Sequence, residues 1–158
     1  MPPAGRLEAA YDEAYYGEQA SKFVGPIERV IDFFRGRRAA QVARVLPSAG
    51  RVLDIGCGNG QFLRRLAAGG HEAFGIEIPG KAAERAAALP RVQVQARPLA
   101  AGDHPPASFD AITLWHVFEH LTEPRQTLEV IQEILKPGGH LFLSLPNIES
   151  WQARLFGG

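Results

Sequence analysis

Arg51-Val52-Leu53-Asp54-Ile55-Gly56-Cys57-Gly58-Asn59-Gly60-Gln61-Phe62-Leu63 is the stretch from which the rest of the 158-residue chain can be read. Val52, Leu53 and Ile55 form an apolar, β-branched-rich run, the pattern of a strand buried in a parallel sheet. Gly56, Gly58 and Gly60 end that strand in a tight turn, and a helix is expected to open at about Gln61. Glycine accepts positive φ angles and lets a ligand come close to the main chain, while the first turn of a helix leaves N–H groups unpaired. The stretch therefore reads as a cradle for a small molecule.

Its spacing is G-x-G-x-G, with Gln61 where a dinucleotide fingerprint carries its third glycine. Asp54 sharpens the reading. A carboxylate directly before the glycine turn repels a pyrophosphate and attracts a cationic ligand. S-adenosylmethionine, which carries an ammonium and a sulfonium and no phosphate, meets that condition.

Val52 to Gly60 resembles the first motif of class I S-adenosylmethionine-dependent methyltransferases, and three later stretches continue the likeness in order, together covering about residues 51–147. Glu77 lies at the carboxyl end of the second strand, Ala73 to Glu77. Phe109-Asp110 opens the fourth strand, Phe109 to Trp115, which leads into Glu119-His120-Leu121. Lys136-Pro137-Gly138-Gly139 turns the chain into a fifth strand, His140 to Asn147. The resemblance implies a Rossmann-like, doubly wound α/β fold with a mainly parallel sheet and helices on both faces. The complete fold of that family has two more strands beside the fifth. Without them Leu141 to Leu145 form an apolar edge strand, which proteins usually avoid. A sheet that ends after the fifth strand, as a piece of a longer fold or with its edge covered in a homodimer, is the expectation.

Composition sets the outer limits. With 46% hydrophobic residues the chain can build one domain with a real core. Seventeen basic residues balance seventeen acidic ones, so no net field recruits nucleic acid or an anionic membrane. The single cysteine, Cys57, rules out an intrachain disulfide and suits a reducing compartment. Its place in the glycine turn reads as a small residue packed against ligand or core. The N-terminus lacks the apolar stretch of a signal peptide and no segment approaches a membrane span, so a cytoplasmic protein is expected.

Residues 1–47 read as an N-terminal helical segment, 48–147 as the core, and 148–158 as the start of a C-terminal part. Tyr11, Tyr15 and Tyr16 either pack on the domain or fold over the cofactor as a lid. Pro26 suits a helix start, and Ile27, Val30, Ile31 and Phe34 follow helical periodicity, with one helix or two breaking at Gly36. Arg35, Arg37, Arg38 and Arg44 are either a solvated face or a contact to an anionic substrate or the cofactor carboxylate. Phe62, Leu63, Leu66 and Ala67 give a helix that packs on the sheet and is capped by Gly69-Gly70. Pro79 begins a helix running to about Leu89, and Val92 to Val94 make a short third strand. Leu128, Ile131, Ile134 and Leu135 mark the helix before the fifth strand.

Glu77, about 20 residues beyond the glycines at a strand end, suits the two ribose hydroxyls of a nucleoside. Many relatives place an acid after the third strand to bind the adenine amino group. Here the chain reads Gln95-Ala96-Arg97-Pro98-Leu99, so adenine recognition falls to backbone groups, to Leu99, or to Asp103. The cofactor site expected for S-adenosylmethionine, with S-adenosylhomocysteine as product, thus comprises Asp54, Gly56, Cys57, Gly58, Gly60, Glu77, Ile78, Leu99 and Trp115.

His116-Val117-Phe118-Glu119-His120 matches the H-x-x-E-H spacing of a zinc peptidase helix. It follows a strand end and precedes Thr122 and Pro124, a helix-start signal, which argues against that reading. Related O-methyltransferases that bind a divalent metal carry an acid at the position of His116. The assignment here is therefore a structural or proton-transfer role without metal, with metal binding by Glu119 and His120 as the alternative. His116 is the candidate base, since imidazole titrates near neutrality; otherwise it caps the next helix or lines the pocket. The resulting expectation is methyl transfer to a small-molecule acceptor at oxygen. The alternatives are a cofactor-binding piece inactive without further strands and an NAD-type oxidoreductase domain.

Overall fold

The structure is a computed structural model that describes residues 24–145. The chain divides into two compact units, residues 1–34 and 35–158. The expected lid of Tyr11, Tyr15 and Tyr16 and the end of the fifth strand at Asn147 lie outside the described residues. Helix α1, Val24–Ala43, is one continuous helix through Gly36. Phe33 and Phe34, which close the first unit, are exposed and meet edge to face with ring centroids 5.8 Å apart.

Among the described residues the second unit is built on five parallel strands, β1 Arg51–Ile55, β2 Glu72–Glu77, β3 Val92–Ala96, β4 Phe109–Trp115 and β5 Leu135–Ser144, in the spatial order β3-β2-β1-β4-β5. The order reverses between β1 and β4. Side chains alternate across each strand, so the sheet carries two separate cores. Val52, Ala73, Val92 and Ala111 pack on one face with Ala39 and Val42 of α1 and with Phe62, Leu63, Leu66 and Ala67 of α2, Gln61–Ala68. Ala86 of α3, Lys81–Ala87, joins them. Leu53, Ile55, Ile76, Ile112 and Leu114 pack on the other face against Val130, Ile131 and Ile134 of α4, Pro124–Ile134. This is the doubly wound architecture that the motifs imply.

Several boundaries differ from the sequence reading, each for a local reason. β2 starts one residue early because Glu72 pairs with Arg51 in register and by an ion pair of 3.2 Å. β3 runs on through Gln95 and Ala96, which pair with Ile76 and Glu77. α3 begins after Pro79 because Gly80 is fully extended. β5 begins at Leu135, beside Phe109, and then shifts register so that His140 lies beside Ala111. The Lys136-Pro137-Gly138-Gly139 turn is a bulge in the strand, with Gly138 at φ +77°. At this end of the sheet Asp110 accepts the Arg51 N–H at 2.7 Å and the Lys136 ammonium at 2.8 Å. Leu141 and Leu143 are partly exposed on β5, which among the described residues pairs with β4 only.

Candidate active site

The register of the strands assembles the site. Asp54 lies beside Gly75 on β2 and Thr113 on β4, and alternation puts Glu77, Trp115 and Ser144 on the same face at the carboxyl ends of their strands. In an open α/β sheet the ligand crevice forms where the strand order reverses, here between β1 and β4.

Asp54 is 2% exposed, and its carboxylate accepts the Thr113 hydroxyl at 2.5 Å. Burial pushes its pKa up to about 7; the Thr113 bond pulls it down, the Glu77 charge raises it and the Arg38 charge lowers it. Glu77 uses one carboxylate oxygen to accept the Gly58 N–H at 2.6 Å and the other to accept its neighbour Ile78 N–H at 3.0 Å. Both oxygens keep a free lone pair for a ligand hydroxyl. The turn itself is pinned by Gly56 and Cys57 N–H groups donating to the Ile76 carbonyl at 2.7 and 3.1 Å.

Two glycines show why the turn demands them. A Cβ on Gly56, at φ +73°, would lie 2.3 Å from Val117 Cγ2, so the loop after β4 rests directly on the turn. A Cβ on Gly58, at φ +54°, would meet nothing within 4 Å, so this backbone faces open space. Cys57 is buried against Gly75, and burial, with Asp54 and Glu77 nearby, pushes its thiol up to about 12. That holds it as an inert, packed thiol at neutral pH.

β4 ends in Trp115, whose ring meets Phe62 edge to face at 5.7 Å and carries the Arg38 guanidinium at 4.7 Å from its centre. Trp115 Nε1–H is buried and has no hydrogen-bond partner among the described residues. His116 follows at φ +56°, a left-handed conformation that costs a residue with a Cβ of order 1–2 kcal/mol. It is held there by its N–H donating to the Ser144 carbonyl at 3.1 Å. His116 Nε2 lies 3.1 Å from Ser144 Oγ and 3.5 Å from an Arg38 nitrogen, and Nδ1 lies 4.0 Å from Glu119. Arg38 can only donate, which makes Nε2 an acceptor and puts the imidazole proton on Nδ1, toward Glu119.

Phe118–His120 form a single 3-10 turn, and α4 starts after Glu123 with Pro124 in its first turn. His116 therefore does not cap α4, and the H-x-x-E-H spacing does not fall on a helix. Among the described residues no three metal-ligating side chains form a cluster.

The remaining expected residues spread along the β2–β3 side. Ile78 is 63% exposed beside Glu77. Leu99 is half-buried against the core of Ile76 and Leu114. Asp103 is engaged, accepting the Ala100 N–H at 2.8 Å and pairing with Arg97 at 2.7 Å. Gly60, at φ +70°, packs on Ala86 and Leu89 and starts α2.

Three residues that shape the site escaped the sequence reading, and a fourth was named only as one of a group. Thr113 is a lone hydroxyl inside an apolar strand, and pairing β1 with β4 would have put it beside Asp54. Val117 and Ser144 gain their roles only through loop packing. Arg38 stood in a basic cluster whose members periodicity alone does not separate.

Two acids and an open glycyl backbone fit S-adenosylmethionine. Asp54 puts a carboxyl group just before the glycine turn, Glu77 keeps acceptor capacity beyond the two N–H groups it already accepts, and Gly58 leaves room for close approach. A diphosphate would meet both carboxylates.

A family model described as a methyltransferase domain matches residues 27–157. The chain is 38% identical over 115 residues to a ubiquinone biosynthesis O-methyltransferase of Xanthomonas campestris pv. campestris, covering 69% of this chain and 47% of that protein. It is 35% identical over 107 residues to the ubiquinone biosynthesis O-methyltransferase of Ralstonia nicotianae, covering 62% of this chain and 44% of that one. It thus spans about half the length of the curated relatives it matches. A solved SAM-dependent methyltransferase of Thermotoga maritima, named as a possible histamine N-methyltransferase, superposes with a TM-score of 0.62 at 26% identity, over 86% of this chain and 64% of its own. A fold shared with that enzyme, and a domain match running over most of the sequence, put the chain in the class I S-adenosylmethionine-dependent methyltransferase family.

Proposed function

We propose that the chain is the catalytic core of an S-adenosylmethionine-dependent methyltransferase that methylates a small-molecule acceptor at a hydroxyl oxygen. The observation that carries this reading is the pairing of Asp54 and Glu77 around an open glycyl backbone where the strand order reverses. Relatives named as O-methyltransferases support oxygen as the acceptor atom. When bound, the cofactor supplies an electrophilic methyl group on sulfonium sulfur, which leaves as neutral thioether. The residues of this chain orient the reactants and remove a proton.

Glu77 holds the ribose while Gly56, Gly58 and Gly60 bring the backbone close. Asp54 favours the cationic end, Ile78, Leu99 and Trp115 give apolar contact, and Cys57 packs beneath. His116 accepts the hydroxyl proton at Nε2, and Glu119 faces the positive charge that then develops. Positioning supplies most of the acceleration in such a displacement.

Calorimetric titration tests the reading. S-adenosylhomocysteine is expected to bind and NAD to give no heat of binding; the reverse result ends it. A cytoplasmic location is supported by the lone buried cysteine, and among the described residues no helix is long and apolar enough to cross a membrane. The partly exposed Leu141 and Leu143 support a homodimer through the edge of β5. Leu143→Lys should then lower the sedimentation mass at concentrations where the unsubstituted chain is dimeric, and a concentration-independent monomer would exclude the dimer.

A further inference from the structure

Arg38, His116 and Ser144 come from α1, the loop after β4 and β5, and converge on one atom. Both Arg38 and Ser144 reach His116 Nε2, at 3.5 and 3.1 Å. A neutral imidazole nitrogen has one lone pair, which two donors cannot share with good geometry. One donor is therefore left for another acceptor, and once Nε2 takes a proton the second donor loses its acceptor as well. The guanidinium is held in place by the Trp115 ring, 4.7 Å away. Among the described residues no carboxylate lies within ion-pair distance of it. His116 itself is held in a left-handed conformation at φ +56°, local strain of the kind that persists only where surrounding structure over-determines it. A half-buried cation, a hydroxyl and a base thus face one point beside the carboxyl ends of β4 and β5.

We propose that Arg38 and Ser144 form an oxyanion clamp that binds the acceptor oxygen in its deprotonated form beside His116. The inference rests on the reading of His116 as the base of a methyltransferase and goes beyond it by naming the groups that hold the product of proton transfer. The acceptor O–H bond breaks, its proton forms the Nε2–H bond, and the electron pair stays on oxygen, where the Arg38 N–H and Ser144 O–H groups donate to it. The imidazolium charge is then faced by Glu119, and the other charge coupled to Arg38 is Asp54. The clamp selects acceptors whose oxygen ionises readily, phenols and enols, over simple alcohols. A guanidinium within contact distance stabilises an anion enough to lower its pKa by about one to three units.

Nitrocatechol, whose absorbance separates phenol from phenolate, tests this with the full chain saturated with S-adenosylhomocysteine. The bound probe is expected to titrate about one to three pH units below the free probe. Arg38→Met should return it to its value in water, and Ser144→Ala should move it part of the way. Thermal melting of each variant reports whether it is folded, and either folded variant suffices for the comparison.

A probe that fails to bind, or titrates as in water, overturns the clamp, as does an undiminished shift in folded Arg38→Met. Loss of S-adenosylhomocysteine affinity in Arg38→Met with the probe's titration unchanged assigns the guanidinium to the amino-acid end of the nucleoside and also overturns it. An unsubstituted chain that binds no S-adenosylhomocysteine removes the underlying methyltransferase reading and the clamp together, whereas one that binds it without shifting the probe removes the clamp alone.

Discussion

Glu77 shows how one side chain serves two ends. Its carboxylate already accepts the Gly58 and Ile78 N–H groups, so it is fixed before any ligand arrives. Hydrogen bonds to a charged acceptor contribute about 1.5–3 kcal/mol. Glu77→Ala should therefore weaken S-adenosylhomocysteine binding by roughly 10-fold or more in a calorimetric titration. Glu77→Gln should also weaken it, because its amide nitrogen would face a backbone N–H where an acceptor is needed. An affinity unchanged in both variants removes Glu77 from the site. Gly56 and Gly58 make a second comparison. Alanine at Gly56 collides with Val117, whereas at Gly58 it meets no protein atom. Gly56→Ala is expected to lose several degrees of melting temperature. Gly58→Ala should lose only the backbone cost of about 1–2 kcal/mol and show its main effect as lost nucleoside affinity. Equal melting losses with intact binding in both would contradict this assignment of roles.

Between elements, the lower end of the sheet is tied by Asp110. It joins β4 to the main chain of β1 and to the Lys136 ammonium on β5, while Arg51 donates to the Ser108 carbonyl and lies over the Phe74 and Phe109 rings. Burial alone would raise the Asp110 pKa, but the Arg51 N–H, Lys136 and the Arg51 charge together carry it below the ordinary carboxylate range. Asp110→Ala leaves a main-chain donor and a cation without their acceptor, and should cost on the order of 2 kcal/mol in urea unfolding. A loss under about 0.5 kcal/mol would place Asp110 with ordinary surface residues. The same end of the sheet explains a boundary that periodicity missed. The Lys136 to Gly139 segment was legible as a turn, but the pairing of Leu135 with Phe109 makes it a bulge inside β5.

For the molecule as a whole, buried Asp54 and the ion-paired Asp103 and Asp110 set opposing responses to pH. In the unfolded chain Asp54 loses its proton near pH 4. In the folded chain it keeps that proton until about pH 7. The folded state therefore binds more protons across that window, and stability falls as pH rises through it, by at most about 4 kcal/mol from this group. Asp103 and Asp110 have depressed pKa values, so their contribution is present above about pH 4 and is lost as pH falls through their folded pKa. Stability should peak in mildly acidic solution. Asp54→Asn should flatten the decline toward neutrality; the same decline in that variant would assign it to another group. The two-sided core and the glycine turn were legible in the sequence because each rests on local pattern, namely apolar runs, glycine spacing and helix periodicity, whereas the doubly wound order of the strands was legible only through the family resemblance. The positions of Asp54, just before that turn, and of Glu77, at the end of β2, were legible from the same strand pattern. Thr113, Val117 and Ser144 were not, since their places depend on which strands become neighbours and on how a loop folds back, and Arg38 was legible only as one member of a basic cluster. Val117 pressing on Gly56 then has a mechanical consequence. The glycine hairpin and the loop that carries His116 are packed against each other with no room for a methyl group between them. On the proposed reading, a nucleoside that lifted the hairpin would push on the neighbour of the imidazole.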